Sequence, residues 1–256
     1  AVSGTSISFG SIATFNTGFS TETSAAYDAN AQRVVIVYRD QGNSYYATSI
    51  VGTVSGTSIS FGTAVVFESA LVSTTTSTYD PNAKKVVISY LDSTGNSNYP
   101  TAIVGTVSNT SISFSTPVVL QTSATGGTDG ATSVYDQASK KVVIAYQDTG
   151  NSNNKAVVFQ AGYTAQNLTA ENYIGMSSGV VVQTGSAGST GSEVVFDGQG
   201  KNFSGAYDTT NNKVLIAYRD VDNSSQGTAI VGTVSGSSIS FGSPAIFETQ
   251  STLSFT

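Results

Sequence analysis

Four short loops carry the side chains of this sequence that are best suited to chemistry. Each loop follows a tyrosine, begins with an aspartate and is rich in Asn, Ser and Gly. Such oxygen-rich loops could bind Ca²⁺, which takes about six to eight oxygen ligands. They could also hydrogen-bond the hydroxyls of a sugar that lies against a tyrosine ring. The candidate ligand-binding residues are Tyr38, Arg39, Asp40, Asn43, Tyr90, Asp92, Asn96, Tyr146, Asp148, Asn151, Tyr218, Arg219, Asp220 and Asn223.

The best single candidate for a Ca²⁺ site is the group Asp220, Asp222 and Asn223, because only this loop has two carboxylates. Two plainer interpretations stay open. The aspartates and asparagines could cap their own backbone in hairpin turns. The tyrosines, which recur at fixed spacing, could pack in the core instead of forming a glycan platform. No cofactor other than Ca²⁺ is expected.

The composition argues against catalysis. Histidine, the usual general base, and cysteine, the usual thiolate, are both absent. Three arginines are too few for the cluster with which a sialidase binds a carboxylate. A glycosidase needs two well-placed carboxylates, and of the five glutamates only Glu68 and Glu248 are equivalent in the repeat. We therefore predict that the chain is not an enzyme.

Charge and hydropathy limit the partners. The net charge is −6, which is unfavourable for binding nucleic acid or an anionic membrane surface. No apolar run reaches the roughly 18 residues that span a bilayer, so no membrane insertion is expected. Only 10% of the residues are charged, against about 25% in ordinary soluble domains. A surface of Ser, Thr, Asn, Gln and Gly favours an extracellular or virion location.

An internal repeat organises the chain. Its most constant part is a Tyr-Asp pair, a polar turn, a Val/Ile run and a second tyrosine 11 residues after the first. The next parts are Ile-Val-Gly-Thr-Val and Ser-Ile-Ser-Phe, followed by an apolar anchor. Because turn residues separate four short β-type segments per period, the repeat predicts four antiparallel strands. The first part spans Tyr27–Asp40, Tyr79–Asp92, Tyr135–Asp148 and Tyr207–Asp220.

A period of roughly 52 residues with four strands is typical of a β-propeller blade. We predict an all-β single domain over 1–256, a β-propeller of about five blades; a β-sandwich and a trimeric β-fibre are the alternatives. Residues 160–193 form an irregular insertion that lengthens the third period. The predicted repeat units are 1–15, 16–67, 68–120, 121–196, 197–247 and 248–256, the last being the start of a further blade.

The amino-acid sequence of the repeat resembles that of known proteins. Thr-Ala-Ile-Val-Gly-Thr-Val-Ser-Gly-Thr-Ser-Ile-Ser-Phe-Gly and Asn-Leu-Thr-Ala-Glu-Asn-Tyr-Ile-Gly resemble repeat proteins of marine bacteriophages, especially cyanophages. The resemblance covers nearly the whole chain and implies a structural protein of a tail or tail fibre. The expected function is adhesion to a host-surface glycan or envelope protein, with other virion proteins as neighbours and a homo-oligomeric state. A virion scaffold and a bacterial extracellular surface or matrix protein are the alternatives.

Overall fold

The computed structural model describes residues 2–3, 5–7, 9–93, 99–121, 130–148, 150–162 and 188–251. The described residues contain one short 3₁₀-helix, Gln41–Asn43, and otherwise only strands, turns and loops. The strands β1 (Val2–Ser3) and β2 (Ser6–Ile7) form a small ribbon. All other strands belong to four antiparallel units. The predicted all-β repeat architecture is thus confirmed.

Each unit has three long strands and a fourth edge strand in two pieces, in the order of the sequence repeat. Unit 1 contains β3 (Ser20–Asp28), β4 (Arg33–Asp40), β5 (Tyr46–Ser55), β6 (Ser58–Phe61) and the first part of β7 (Val65–Asp80). Unit 2 contains the rest of β7, then β8 (Lys85–Asp92), β9 (Tyr99–Ser108), β10 (Ser111–Phe114) and β11 (Val118–Val119). Unit 3 contains β12 (Ala131–Asp136), β13 (Lys141–Asp148), β14 (Asn153–Ala161), β15 (Gly188–Thr190) and β16 (Val194–Asp197). Unit 4 contains β17 (Gly200–Asp208), β18 (Lys213–Asp220), β19 (Gln226–Ser235), β20 (Ser238–Phe241) and β21 (Ala245–Glu248).

The long strand β7 joins units 1 and 2. Its first part pairs with β5 as far as Leu71, and from Val72 onward it pairs with β8. The predicted boundary between residues 67 and 68 therefore falls inside a continuous strand. In unit 3, β15 and β16 take the edge position that Ser-Ile-Ser-Phe and the apolar anchor take elsewhere. Most of the predicted insertion, residues 163–187, lies outside the described residues.

The turn between the first two strands of every unit is built in the same way. The Oδ1 atom of the aspartate that ends the first strand accepts the backbone N–H groups two and three residues later, as Asp28 does from Asn30 and Ala31 at 2.9 Å each. The residue four positions after the aspartate has positive φ in all four turns, for example Gln32 at 55°. These side chains satisfy turn donors that the strand ladder leaves unpaired. The other three aspartates are Asp80, Asp136 and Asp208.

The units stack face to face in chain order. Val35 and Val37 of unit 1 pack against Val86 and Ile88 of unit 2 in one buried cluster. Val87 of unit 2 packs in the same way with unit 3, and two further buried clusters fill the interfaces 2–3 and 3–4. We call the side of a unit that meets the preceding unit its front face and the opposite side its back face. Because both faces are covered in the middle of the stack, β8 is buried along its whole length.

The stack is open at its two ends. The first strands of successive units lie next to each other, as innermost strands of propeller blades do, with Ser24 Oγ 2.9 Å from Ser77 Oγ and Thr76 Oγ1 2.9 Å from Ser133 Oγ. No sheet of the described residues closes into a ring. The repeated antiparallel architecture is established, and the ring of about five blades stays a prediction.

Candidate functional site

The stacking places the predicted loops along one edge of the molecule. In every unit the second strand ends at an aspartate and the third strand begins after the loop. Because the units stack in the same orientation, these connections follow one another on the same edge. We call this edge the loop edge. It contains residues 40–46, 92–99, 148–153 and 220–226, of which 94–98 and 149 lie outside the described residues.

The loop of unit 1 presents the largest exposed aromatic group of this edge. Asp40 caps the short 3₁₀-helix by accepting the N–H of Gly42 at 3.0 Å, and this leaves the Asn43 side chain exposed. Tyr45 follows with φ 63° and is 45% exposed. The guanidinium carbon of Arg39 lies 5.9 Å from the centre of the Tyr45 ring, a cation–π arrangement that orients the ring. The arginine also donates to Thr21 Oγ1 at 2.9 Å.

The loop of unit 3 also folds around its aspartate. Asp148 is fully buried, and its Oδ1 accepts the N–H of Gly150 at 3.0 Å. Asn151, exposed at the loop tip, donates to Asp148 Oδ2 at 3.0 Å. Lys155 forms an ion pair with the same oxygen at 2.7 Å. Burial disfavours the charge of Asp148, but hydrogen bonds from Lys155, Gln121 and Asn151 outweigh burial and lower its pKa.

The loop of unit 4 holds the predicted Ca²⁺ residues. Asp220 Oδ1 accepts the N–H of Asn223 at 3.2 Å, and Asp222 Oδ2 accepts the N–H of Gln199 at 2.6 Å. Burial, followed by the charges of Asp197 and Asp222, raises the pKa of Asp220. Within the described residues, no three acidic side chains lie together in the geometry of a metal site. Two carboxylates that are both bonded to the backbone supply few of the oxygens that Ca²⁺ takes, so the Ca²⁺ site stays a prediction.

The loop of unit 2 is described only in part. Asp92 is 2% exposed, and Asn96 lies outside the described residues. Among the predicted site residues, the aspartates thus serve mainly as loop supports. The side chains that this edge exposes include amides of three loop tips, Asn43, Asn151 and Asn223, beside Tyr45, Asp222 and several serines.

The four predicted tyrosines lie in the core and not on the surface. Their exposed fractions are 2% or less, so their ring faces are not accessible to a sugar. Burial, together with the charge of Asp40, raises the pKa of Tyr38 to about 12. Their burial agrees with the interpretation that the regularly spaced tyrosines pack in the core, and not with a glycan platform. These tyrosines are Tyr38, Tyr90, Tyr146 and Tyr218.

Each buried tyrosine of units 2 to 4 has a polar partner from the preceding unit. Tyr90 donates to Glu68 Oε2 at 3.3 Å, and Tyr218 donates to Asp197 Oδ2. Tyr146 donates to Gln121 Oε1 at 3.2 Å. In sequence, each partner directly follows the apolar anchor of the fourth strand. This position is visible in the repeat, but its role depends on the order of stacking, which spacing alone does not specify.

Unit 3 has a polar network that the repeat does not predict. Lys155 Nζ lies 3.3 Å from Glu193 Oε2, and the Tyr146 hydroxyl lies within hydrogen-bond distance of both Glu193 and Gln121, to either of which it can donate its single proton. The other three units have a threonine at the position of Lys155, namely Thr48, Thr101 and Thr228. Lys155 is 8% exposed, so the network is internal. It supports the loop through the ion pair of Lys155 with the buried Asp148. Tyr45 and Lys155 are the residues of this edge that sequence reasoning missed.

Comparisons with known proteins add no identification. No protein-family model matches the chain, and no curated protein is significantly similar to it in sequence. The described part of the chain has no helix that is long and apolar enough to cross a membrane. The resemblance to bacteriophage repeat proteins therefore stays an expectation from the motifs quoted above.

Proposed function

We propose that the chain is a non-enzymatic adhesion module of a bacteriophage tail or tail fibre, which binds a host-surface glycan or envelope protein through the loop edge. The observation that carries this proposal is the recurrence of exposed amide side chains, each on a loop held by a capping aspartate, along one edge of the stack. Amides are suited to sugar recognition because each offers both hydrogen-bond donors and an acceptor.

The loop of unit 1 supports a glycan ligand most directly. Tyr45 offers a partly exposed ring on which a pyranose can stack, and Asn43 lies two residues before it. Arg39 lies within cation–π distance of the ring and is anchored by Thr21 and by the carbonyl of Val72. A preoriented aromatic ring loses little conformational entropy when a sugar binds.

The repetition supports binding to a repetitive surface. Several weak sites on a rigid edge gain avidity when the target presents the same group many times. Host polysaccharides and arrays of envelope proteins are targets of this kind. If the stack closes into the predicted propeller of about five blades, the ring would hold such loops on one rim. Ca²⁺ bound at the loop of unit 4 would stiffen that loop.

A structural role in the virion is the second candidate. Its support is the exposed apolar area on the back face of unit 4, which includes Leu215 at 38% and Val231 at 45% exposure. Patches of this type mark protein–protein contacts. In that case neighbouring virion proteins, and not a host glycan, are the partners. A bacterial surface or matrix protein with the same repeat is the third candidate.

A glycan-array measurement with matched variants tests the proposal. The test variant is Asn43→Ala/Tyr45→Ala/Asn151→Ala/Asn223→Ala, all on the loop edge. The control is Ala29→Ser/Asn30→Ala/Gln137→Ala/Thr209→Ala on exposed turns at the opposite edge. We expect specific binding by the wild type and the control, and at least a tenfold loss in the test variant.

Two results would count against adhesion through the loop edge. One is the absence of binding by folded wild-type protein to glycans and to host envelope preparations. The other is equal binding by the test and control variants. Addition and chelation of Ca²⁺ in the same assay tests the predicted metal site separately.

A further inference from the structure

Two of the three interfaces inside the stack are built in the same way. The fourth strand of units 1 and 3 places a glycine and an aromatic ring against the next unit. Gly62 of unit 1 lies so close to Thr110 of unit 2 that a Cβ atom on it would be 2.1 Å from the Thr110 carbonyl oxygen. The Phe67 ring packs on Tyr90, with the ring centres 5.6 Å apart.

Units 3 and 4 repeat this arrangement. A Cβ atom on Gly191 would lie 1.7 Å from the Ser237 carbonyl oxygen. The Phe196 ring lies 5.8 Å from Tyr218, whose hydroxyl donates to the neighbouring Asp197. The interfaces 1–2 and 3–4 thus use a glycine, an aromatic ring and a tyrosine at equivalent positions of the repeat.

Residues 9–16, which follow the two-stranded ribbon of β1 and β2, make the same contacts with unit 1. A Cβ atom on Gly10 would lie 1.8 Å from the Thr57 carbonyl oxygen, and the Phe15 ring lies 5.2 Å from Tyr38. In the same segment, Ile12 is 99% exposed to solvent. Residues 9–16 therefore occupy the position that the fourth strand of a preceding unit has at the other interfaces.

The front face of unit 1 is incompletely covered in other places. The hydroxyls of Tyr79 and Tyr207 accept backbone N–H groups from the preceding unit, from Asn30 at 3.2 Å and Ala138 at 3.1 Å. Tyr27 occupies the equivalent position in unit 1 and is 55% exposed.

The back face of unit 4 shows the complementary feature. Val231 is 45% exposed, whereas Val104 at the same position of unit 2 is 4% exposed. Leu215 is likewise 38% exposed, and its equivalent Val87 is fully buried. Gly242 corresponds to Gly62, yet within the described residues the only atom within 4 Å of an added Cβ would be the Val231 carbonyl oxygen at 3.9 Å. The back face of unit 4 thus exposes apolar residues and a glycine that, at equivalent positions of other units, pack against a following unit.

We propose that copies of this chain associate head to tail, with the back face of unit 4 in one copy packing on the front face of unit 1 in the next. Residues 241–248 of one copy take the seat that residues 9–16 occupy in the isolated chain. The contact continues the interfaces within the stack, where each back face meets the next front face. Because the two faces differ, such a contact generates a ring or an open fibre and not a symmetric dimer.

The internal register predicts which residues meet between copies. In the first strands, Ser24 lies beside Ser77 and Thr76 lies beside Ser133. The same register, continued past unit 4, places Ser204 of one copy beside Ala25 of the next. The hydroxyl oxygens of the internal pairs are 2.9 Å apart, which is close enough for cysteines at such positions to form a disulfide.

The first test is molar mass as a function of concentration, measured by light scattering or sedimentation. We expect the wild type to grow in mass with concentration and Leu215→Glu/Val231→Glu to stay monomeric. The control Val195→Glu/Ser189→Glu adds the same charge at exposed positions of unit 3 and should associate like the wild type. A wild type that is monomeric throughout, or a test variant that associates like the control, overturns the proposal.

The second test is a disulfide trap. The chain has no native cysteine, so Ala25→Cys/Ser204→Cys introduces the only two thiols. We expect mild oxidation to give a ladder of linked copies from the double variant, with Ala25→Cys alone and Ser204→Cys alone giving no ladder. A bond within one copy would show instead that units 1 and 4 meet in a closed ring of a single chain, and it would overturn the proposal. Failure to form any bond would do the same. Circular dichroism verifies the fold of each variant.

Discussion

Val104 and Val231 offer a matched test of the open stack, because the same residue occupies the same strand position in units 2 and 4. Val104 is 4% exposed in the interface with unit 3, and Val231 is 45% exposed on the back face of unit 4. Truncation to alanine removes two methyl groups in both cases. The difference in cost therefore reports only the difference in environment.

The magnitudes follow from burial. Two buried methyl groups are worth about 1.6 kcal/mol by transfer, and the cavity they leave raises the cost of Val104→Ala to about 2–3 kcal/mol. At Val231 about half of the transfer value applies and no closed cavity forms, so the cost is about 0.5–1 kcal/mol. Val158→Ala, at the same position of unit 3 and 1% exposed, should cost as much as Val104→Ala.

Urea unfolding, followed by far-UV circular dichroism and tyrosine fluorescence, measures these costs; the chain has 13 tyrosines and no tryptophan. Low protein concentration keeps the chain monomeric. Equal free-energy losses for Val104→Ala and Val231→Ala under those conditions would mean that the back face of unit 4 is covered in the monomer, and the stack would then not be open at this end.

Two further predictions concern other features of the stack. Gly62→Ala should destabilise the chain by about 1–3 kcal/mol, because the added methyl meets Thr110, whereas Gly242→Ala should change stability by less than about 0.5 kcal/mol in the same urea assay. Lys155→Met should cost about 3–5 kcal/mol at neutral pH, because it leaves the buried Asp148 carboxylate without its cation. The lowered pKa of Asp148 means that its contribution is present above its unfolded value of about 3.9 and is lost as the pH falls through the folded value. The deficit of Lys155→Met should therefore shrink in acid, and a deficit that is independent of pH would contradict the ion-pair account.

Much of the fold could be predicted from sequence. The Val/Ile runs, the Asp-initiated turns and the Ser-Ile-Ser-Phe segments of units 1, 2 and 4 lie in strands and turns where the repeat places them. These features are local, since a β-branched run and a turn residue act within a few positions of each other. Whether the stack closes into a ring depends on contacts between its ends, which local patterns do not encode.

The candidate site was predictable only in part. The position of the loops followed from the repeat, and so did the capping aspartates. Core packing of the tyrosines was one of the interpretations that their regular spacing left open. The role of Gln121 depends on which face meets the next unit, so spacing could not assign it. Lys155 breaks the repeat, and its meaning appears only when Asp148 and Glu193 are brought beside it in space.

We propose that ligands bind at the loop edge. Hydrogen–deuterium exchange of the chain, alone and with a glycan or envelope preparation that it binds, tests this proposal most directly. We predict slower exchange at residues 41–45, 150–152 and 221–226 on binding, with the opposite turns at 29–32 and 209–212 unchanged. Protection of those opposite turns, with the loop edge unaffected, would contradict it.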